Sequence, residues 1–150
     1  MAVRDYTTRR LGIVTALADK LKEIDGTGLF LTNLNNNVSP RLKFWDEVEE
    51  FPAVHLNAGS ETREYQGGSY KDRFLNITLR CYVQDDDSVK ALDELLEDVE
   101  TVIEDNSRLS YVDRRNATQH THQITVLSID TDEGVLEPLG VGEMTIEVRY

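Results

Sequence analysis

Between about Tyr6 and Ile24 the apolar residues Leu11, Val14, Leu17, Ala18, Leu21 and Ile24 recur at spacings of three and four, which gathers them on one side of a 3.6-residue helix. Arg9, Arg10, Asp19, Lys20, Lys22 and Glu23 fall largely elsewhere, and Asp25-Gly26-Thr27-Gly28 supplies a stop, because glycine accepts the left-handed backbone that follows helix ends. The period changes to two between Arg73 and Val83. Leu75, Ile77, Leu79, Cys81 and Val83 take one face, and Phe74, Asn76, Thr78, Arg80 and Tyr82 take the other, the signature of a strand with one face in a core. A second helix is expected after Asp85-Asp86-Asp87-Ser88, whose acidic groups suit the positive end of a helix dipole. Its apolar stripe is Leu92, Leu95, Leu96, Val99, Val102 and Ile103, with Asp93, Glu94, Glu97, Asp98, Glu100 and Glu104 on the remainder, and Asp105-Asn106-Ser107 ends it.

The other segments are shorter. Phe51 to Ala58 reads as a strand opened by Pro52, and Glu61 to Tyr65 extends it or begins another, ahead of a turn at Gln66-Gly67-Gly68-Ser69. Gln123 to Ile129 is apolar on both faces, Ile124 and Val126 against Leu127 and Ile129, as a strand covered on two sides would be. Glu143 to Tyr150 alternates Met144, Ile146, Val148 and Tyr150 with Thr145, Glu147 and Arg149. A polar connection holding Asn33, Asn35-Asn36-Asn37 and Pro40 follows the first helix, with Leu42, Phe44 and Trp45 in its continuation; that trio suits a lid over the core or a binding patch. Helix, long loop, two or three strands, helix and two strands make an α/β (α+β) chain. The expected sheet is mixed but mainly antiparallel, with both helices on one face. A chain of 150 residues suits one domain, here 1–150. Phe74 and Tyr82 on the sheet's other face are poorly suited to water, which points to a partner surface.

Charge changes the picture most. The chain carries 28 acidic against 16 basic side chains, a formal net charge of -12. A surface this acidic does not wrap nucleic acid, since phosphate binding is driven by Lys and Arg displacing counterions; solubility alone would also account for it. Cys81 is the single cysteine, which rules out a disulfide within the chain and suits a reducing cytoplasm. No apolar run approaches the ~20 residues of a membrane span, and the N-terminal residues lack the apolar region of a signal peptide.

Candidate chemistry is sparse. His120 and His122 lie two apart, and His55 stands in another expected strand. Three such ligands with an open position would make a catalytic zinc site, so a metal-dependent hydrolase is one reading and polar surface residues the other. No serine has a Gly-x-Ser-x-Gly setting, and the glycine-rich Gln66–Ser69 stretch lacks the Lys-Ser/Thr ending of a phosphate loop. Neither a catalytic centre nor a cofactor site emerges. The stretch from Glu61 to Arg73 gathers Arg63, Tyr65, Tyr70, Lys71 and Arg73 around glycine. Tyr and Arg are enriched at interface hot spots, so this is either a projecting contact loop or an ordinary solvated hairpin.

The order of these segments resembles a known family. Phe51-Pro52-Ala53-Val54, a polar glycine-containing loop, then Leu75 to Val83 leading into an acidic helix, and Leu136-Glu137-Pro138-Leu139-Gly140 ahead of Met144 to Tyr150, are similar to the tail terminator (tail completion) proteins of long-tailed bacteriophages. The resemblance implies a non-catalytic virion protein without cofactors, a subunit of a ring of six. Its partners would be further copies of itself, the tail tube protein and the head–tail connector, with no membrane involved. The ring would cap the finished tube at the head-proximal end, stop its polymerisation, present a surface to the connector and let DNA cross its lumen without specific binding. Assembly would take place in the host cytoplasm. A head–tail connector or another neck protein is the neighbouring reading. Arg63, Tyr65, Tyr70, Lys71, Arg73, Phe74, Arg80 and Tyr82 are the residues expected at contacts between subunits or with the tube.

Overall fold

The computed structural model describes residues 8–42, 47–68 and 71–150; Phe44, Trp45 and Tyr70 lie outside them. Helix α1 (Arg9–Leu21) starts at the N-cap Thr8, whose hydroxyl accepts from the Leu11 amide. Helix α2 (Ser88–Asp105) starts at Asp87, whose carboxylate accepts from the Lys90 amide. Both caps satisfy donors that a helix start leaves open. Strands β1 (Val38–Ser39), β2 (Ala53–Tyr65), β3 (Lys71–Gln84), β6 (Gln123–Thr131) and β7 (Leu139–Arg149) form one sheet in the order β1-β2-β3-β7-β6. Only the β1–β2 pairing is parallel. Strands β4 (Ser110–Val112) and β5 (Thr118–His120) form a separate small ladder. The fold is the expected α+β arrangement, a mainly antiparallel mixed sheet with two helices against it.

The alternation in β3 separates its two faces cleanly. Leu75, Ile77, Leu79 and Cys81 are fully buried and meet Val54, Leu56, Met144, Ile146 and Val148 in one core. Into that core α1 places Ile13, Val14, Leu17, Ala18 and Leu21, and α2 places Leu92, Leu95, Leu96, Val99, Val102 and Ile103. Burying each large aliphatic side chain stabilises by about 1.5–3 kcal/mol relative to exposure. Leu11 departs from the expected stripe, being half-exposed. At that level of α1 the contact residue is Gly12, where an added Cβ would stand 2.9 Å from the Val112 carbonyl oxygen. Close approach of the β4 backbone, not a side chain, sets the packing there.

The two-sided burial expected for Gln123 to Ile129 is not what the structure has. Strand β6 is at the sheet's edge, and its pairing with β7 shifts between Val126 and Ser128. That bulge leaves Leu127 out of the alternation and half-exposed, while Ile129 returns to the register position opposite Met144. An inserted residue re-aims a strand in this way, so Ile124, Val126 and Ile129 share one face interrupted by a bulge, and Leu127 is the residue the bulge sets aside.

Cys81 sits in the middle of the core, and burial pushes its thiol pKa up to about 12 from the ordinary 9.0. At neutral pH almost no thiolate exists to react. The folded protein is therefore expected to resist a thiol-reactive disulfide reagent, with labelling about a hundredfold or more slower than after denaturation. A fast phase in native buffer would contradict this burial.

Candidate functional site

Strands β2 and β3 outrun the rest of the sheet. Their pairing extends to Tyr65 opposite Lys71, whereas the end of the chain after β7 accompanies β3 only as far as Arg73, which exchanges backbone hydrogen bonds with Tyr150. The β2–β3 hairpin is therefore an arm projecting past the end of β7, with Gly68 at φ +72° in its turn. A register shift between Ala58 and Glu61 decides what the arm presents. Val54 and Leu56 face the helices; after the bulge the odd-numbered residues Glu61, Arg63 and Tyr65 take that side, opposite Leu75, Arg73 and Lys71. The Arg10 guanidinium donates to the Gly59 carbonyl within the bulge, tying the start of α1 to it.

The base of the arm is a polar cluster. Tyr150 Oη donates to Glu61, and Arg63 Nε donates to Glu61 Oε2 over 2.9 Å. Burial raises the Glu61 pKa most, yet the hydrogen bonds from Tyr150 and Arg63 and the charges of Arg63 and Arg10 outweigh it and hold the carboxyl below 4.5. The Tyr150 phenol moves upward, by burial first and then by its bond to Glu61. Arg73 stacks over the Tyr150 ring at 5.6 Å and Lys71 over the Tyr65 ring at 5.2 Å. A carboxyl whose pKa is depressed on folding stabilises the protein above its unfolded pKa and stops doing so as pH falls through the folded value. Glu61→Gln is accordingly expected to flatten the loss of stability below about pH 4.5 in urea unfolding at stepped pH. An acid limb identical to wild type would show that Glu61 contributes nothing there.

Beside this cluster lies an open cleft of about 370 Å³ lined by Thr8, Arg9, Arg10, Arg63, Arg73, Asp113, Arg114, Arg115 and Tyr150. Three separate elements supply its arginines: the first turn of α1, the arm, and the β4–β5 turn. Asp113 shapes that turn, accepting from the Arg115 and Ala117 amides at 2.8 and 3.0 Å and from Gln119 Nε2 at 3.2 Å. These bonds hold its pKa below the usual carboxylate value. The structure thus brings together Arg63, Tyr65, Lys71 and Arg73 on the arm, and adds Arg9, Arg10, Arg114, Arg115 and Tyr150 beside them. The doublets Arg9-Arg10 and Arg114-Arg115 were visible in the sequence; that they converge depends on the sheet.

Phe74, Arg80 and Tyr82 of the expected set sit on the opposite sheet face. Phe74 is half-buried there, between Thr62 and Arg149 in register. Arg80 pairs with Glu143 at 3.3 Å. Tyr82 is not the exposed aromatic that the alternation implied: it is 1% exposed, edge-on to His55 with ring centroids 5.6 Å apart. Arg41, just after β1, also reaches this end of the face, its carbonyl oxygen 3.2 Å from His55 Nδ1. Tyr82 is therefore removed from water within its own chain and needs no second chain for that. The three histidines do not form a common site. His55 is buried on β2, His120 is exposed at the end of β5, and the His122 amide donates to the Arg149 carbonyl at the far edge. Among the described residues no group of three or more His, Cys, Asp or Glu has metal-holding geometry, and no helix is long and apolar enough to cross a membrane.

Fold and surface together define a small α+β protein with an arginine-lined cleft between α1, the β2–β3 arm and the β4–β5 turn. The model of the Bacteriophage Tail Tube Terminator Protein family matches residues 7–150, and the chain belongs to that family. It is also similar to tail tube terminator protein p142 of Escherichia phage T5, with 32% identity over 149 residues covering 94% of this chain and 92% of that protein. It is thus a structural protein of a phage tail, associated with the tail tube, as the resemblance in its sequence implied.

Proposed function

We propose that the chain closes into a ring of six copies that caps the head-proximal end of the completed tail tube, ends its polymerisation and offers the surface to which the head connector joins. The ring assembles in the host cytoplasm, admits DNA through its lumen without binding it specifically, and carries out no catalysis. Membership of the terminator family along almost the whole chain carries this reading. Its surface gives further support. A closed ring needs two different patches that meet head to tail, and the arm with Arg63, Tyr65, Lys71 and Arg73 projects from one end of the sheet while Phe74 and Arg80 lie half-buried on the face away from the core. Tyr70, next to the arm's turn in sequence, is assigned to the same contact. Tyr82 is dropped from the contact set because its own chain covers it.

Mixing purified protein with tail tubes that lack it, then adding free tube subunits, tests the capping step. The expected result is one ring at a single end of each tube and no further growth from that end. Tubes that continue to elongate from both ends would remove the terminator role for this chain, and rings bound only to empty connectors would favour the neck-protein reading.

A further inference from the structure

The arginine cleft stands out because the rest of the chain is so acidic: six of its 16 basic side chains line one opening of about 370 Å³ in a chain of net charge -12. Their placement is electrostatically unfavourable for the chain alone. Arg63 and Arg73 are direct cross-strand partners, an arrangement that like charges destabilise. Arg9 and Arg10 occupy the first turn of α1, which holds no acidic residue, where the helix dipole already presents positive charge. Glu61 and Asp113 offset part of this, but Asp113 is committed to the backbone of its own turn.

The opposite end of the same sheet carries the reverse charge. Strand β3 runs from Arg73 at the cleft to Gln84, which pairs with Leu139 at the start of β7. The β3–α2 turn and the β6–β7 turn meet there, joined by the Asp85 amide donating to the Pro138 carbonyl over 2.9 Å. Asp85, Asp86 and Asp87 from the first turn and Asp132, Glu133 and Glu137 from the second are grouped at this end, all exposed except the half-buried Asp132. Val135, 83% exposed, stands among them. At about 3.3 Å per residue the strand separates the two ends by roughly 40 Å, several Debye lengths at physiological salt. One molecule therefore cannot bring its own poles together.

We infer that the arginine cleft is a docking site for a second copy of this chain, receiving the paired acidic turns around Asp86 and Glu133 in a head-to-tail contact. Arg presents a planar fork that grips carboxylates in pairs, and two dissimilar complementary patches make a heterologous interface, the kind that closes into rings. The inference deepens the ring reading above and rests on it for closure.

The test uses the full chain in sedimentation velocity at about 0.05 and 0.5 M salt, with circular dichroism confirming that each variant is folded. The contact predicts self-association of wild type at low salt that weakens at high salt. Arg114→Glu with Arg115→Glu should weaken it about tenfold or more, as should Asp86→Arg with Glu133→Arg, and the protein carrying all four changes should recover association. If a charge-reversed pair misfolds, the neutral Arg114→Gln with Arg115→Gln serves in its place. Wild type that stays single at low salt, variants that associate like wild type, or a fourfold variant that stays apart would each overturn the inference. So would a short DNA duplex that binds wild type, is lost in Arg114→Glu with Arg115→Glu and leaves self-association unchanged, because the cleft would then serve phosphates. Tube capping by wild type separates the two readings: capping without charge-dependent association sinks this contact alone, whereas failure to cap sinks the ring function.

Discussion

Asp98→Ala is expected to lower the unfolding free energy by about 3 kcal/mol. Asp98 belongs to α2 and is only 3% exposed, unlike the acidic residues around it. Its carboxylate accepts from the Leu31 amide at 3.0 and 3.1 Å, from the Thr32 amide at 2.8 Å and from the Thr32 hydroxyl at 2.6 Å. One carboxylate thus pins the loop that follows α1 onto the middle of α2. Alanine leaves those donors without an acceptor, and hydrogen bonds to a charged group are worth more than neutral ones. Asn at the same position keeps one acceptor oxygen and should cost about half as much. Urea unfolding of the three proteins, with an unchanged slope, measures it. A loss below about 1 kcal/mol would mean that water replaces the carboxylate without penalty.

Gly140→Val should cost a similar amount, about 3 kcal/mol, by overpacking. A Cβ at Gly140 would lie 2.7 Å from Val83 Cγ2 and 3.2 Å from the Ser88 carbonyl oxygen. At Gly142, two residues along the same face, it would meet Leu92 and Leu96 at 3.1 to 3.4 Å. The two glycines are a flat strip on β7 against which α2 lies. A branched side chain must push the helix start away and loosen Leu92 and Leu95 behind it, so the melting temperature should fall by several degrees. The exposed Gly67→Val in the arm's turn is the control, since nothing lies within 4 Å of its added Cβ. Equal stability of both variants would contradict close helix–strand contact at Gly140.

The helices and the central strands were legible because burial imposes their periods. Leu75 to Val83 could be read as a strand with one core face, and Leu92 to Ile103 as a helix stripe, from the side chains alone. Exceptions to a period were not legible. Bulges at Ala58/Glu61 and Val126/Ser128 reverse which residues face the helices, and alternation carries no mark of where an extra residue is inserted. Asp98 looked like one more solvated acid because its partners, Leu31 and Thr32, are about seventy positions away in the chain. The short strands β1, β4 and β5 hold two or three residues each, too few to show a period. The proposed contact surface was half visible. The Arg63–Arg73 arm showed in composition, whereas Arg9, Arg10, Arg114 and Arg115 join it only once the sheet has folded. Tyr82 was misplaced because alternation tells which side of a sheet a residue takes, not whether that side is open to water there.

The most direct test of the terminator role is the distribution of tail lengths, by electron microscopy, in lysates of a phage whose copy of this protein carries an early stop codon. Tails that run on past the normal length and carry no heads are expected, with normal tails restored when the wild-type protein is supplied from a plasmid. Tails of normal, uniform length that merely lack heads would contradict it and move the protein to the joining step.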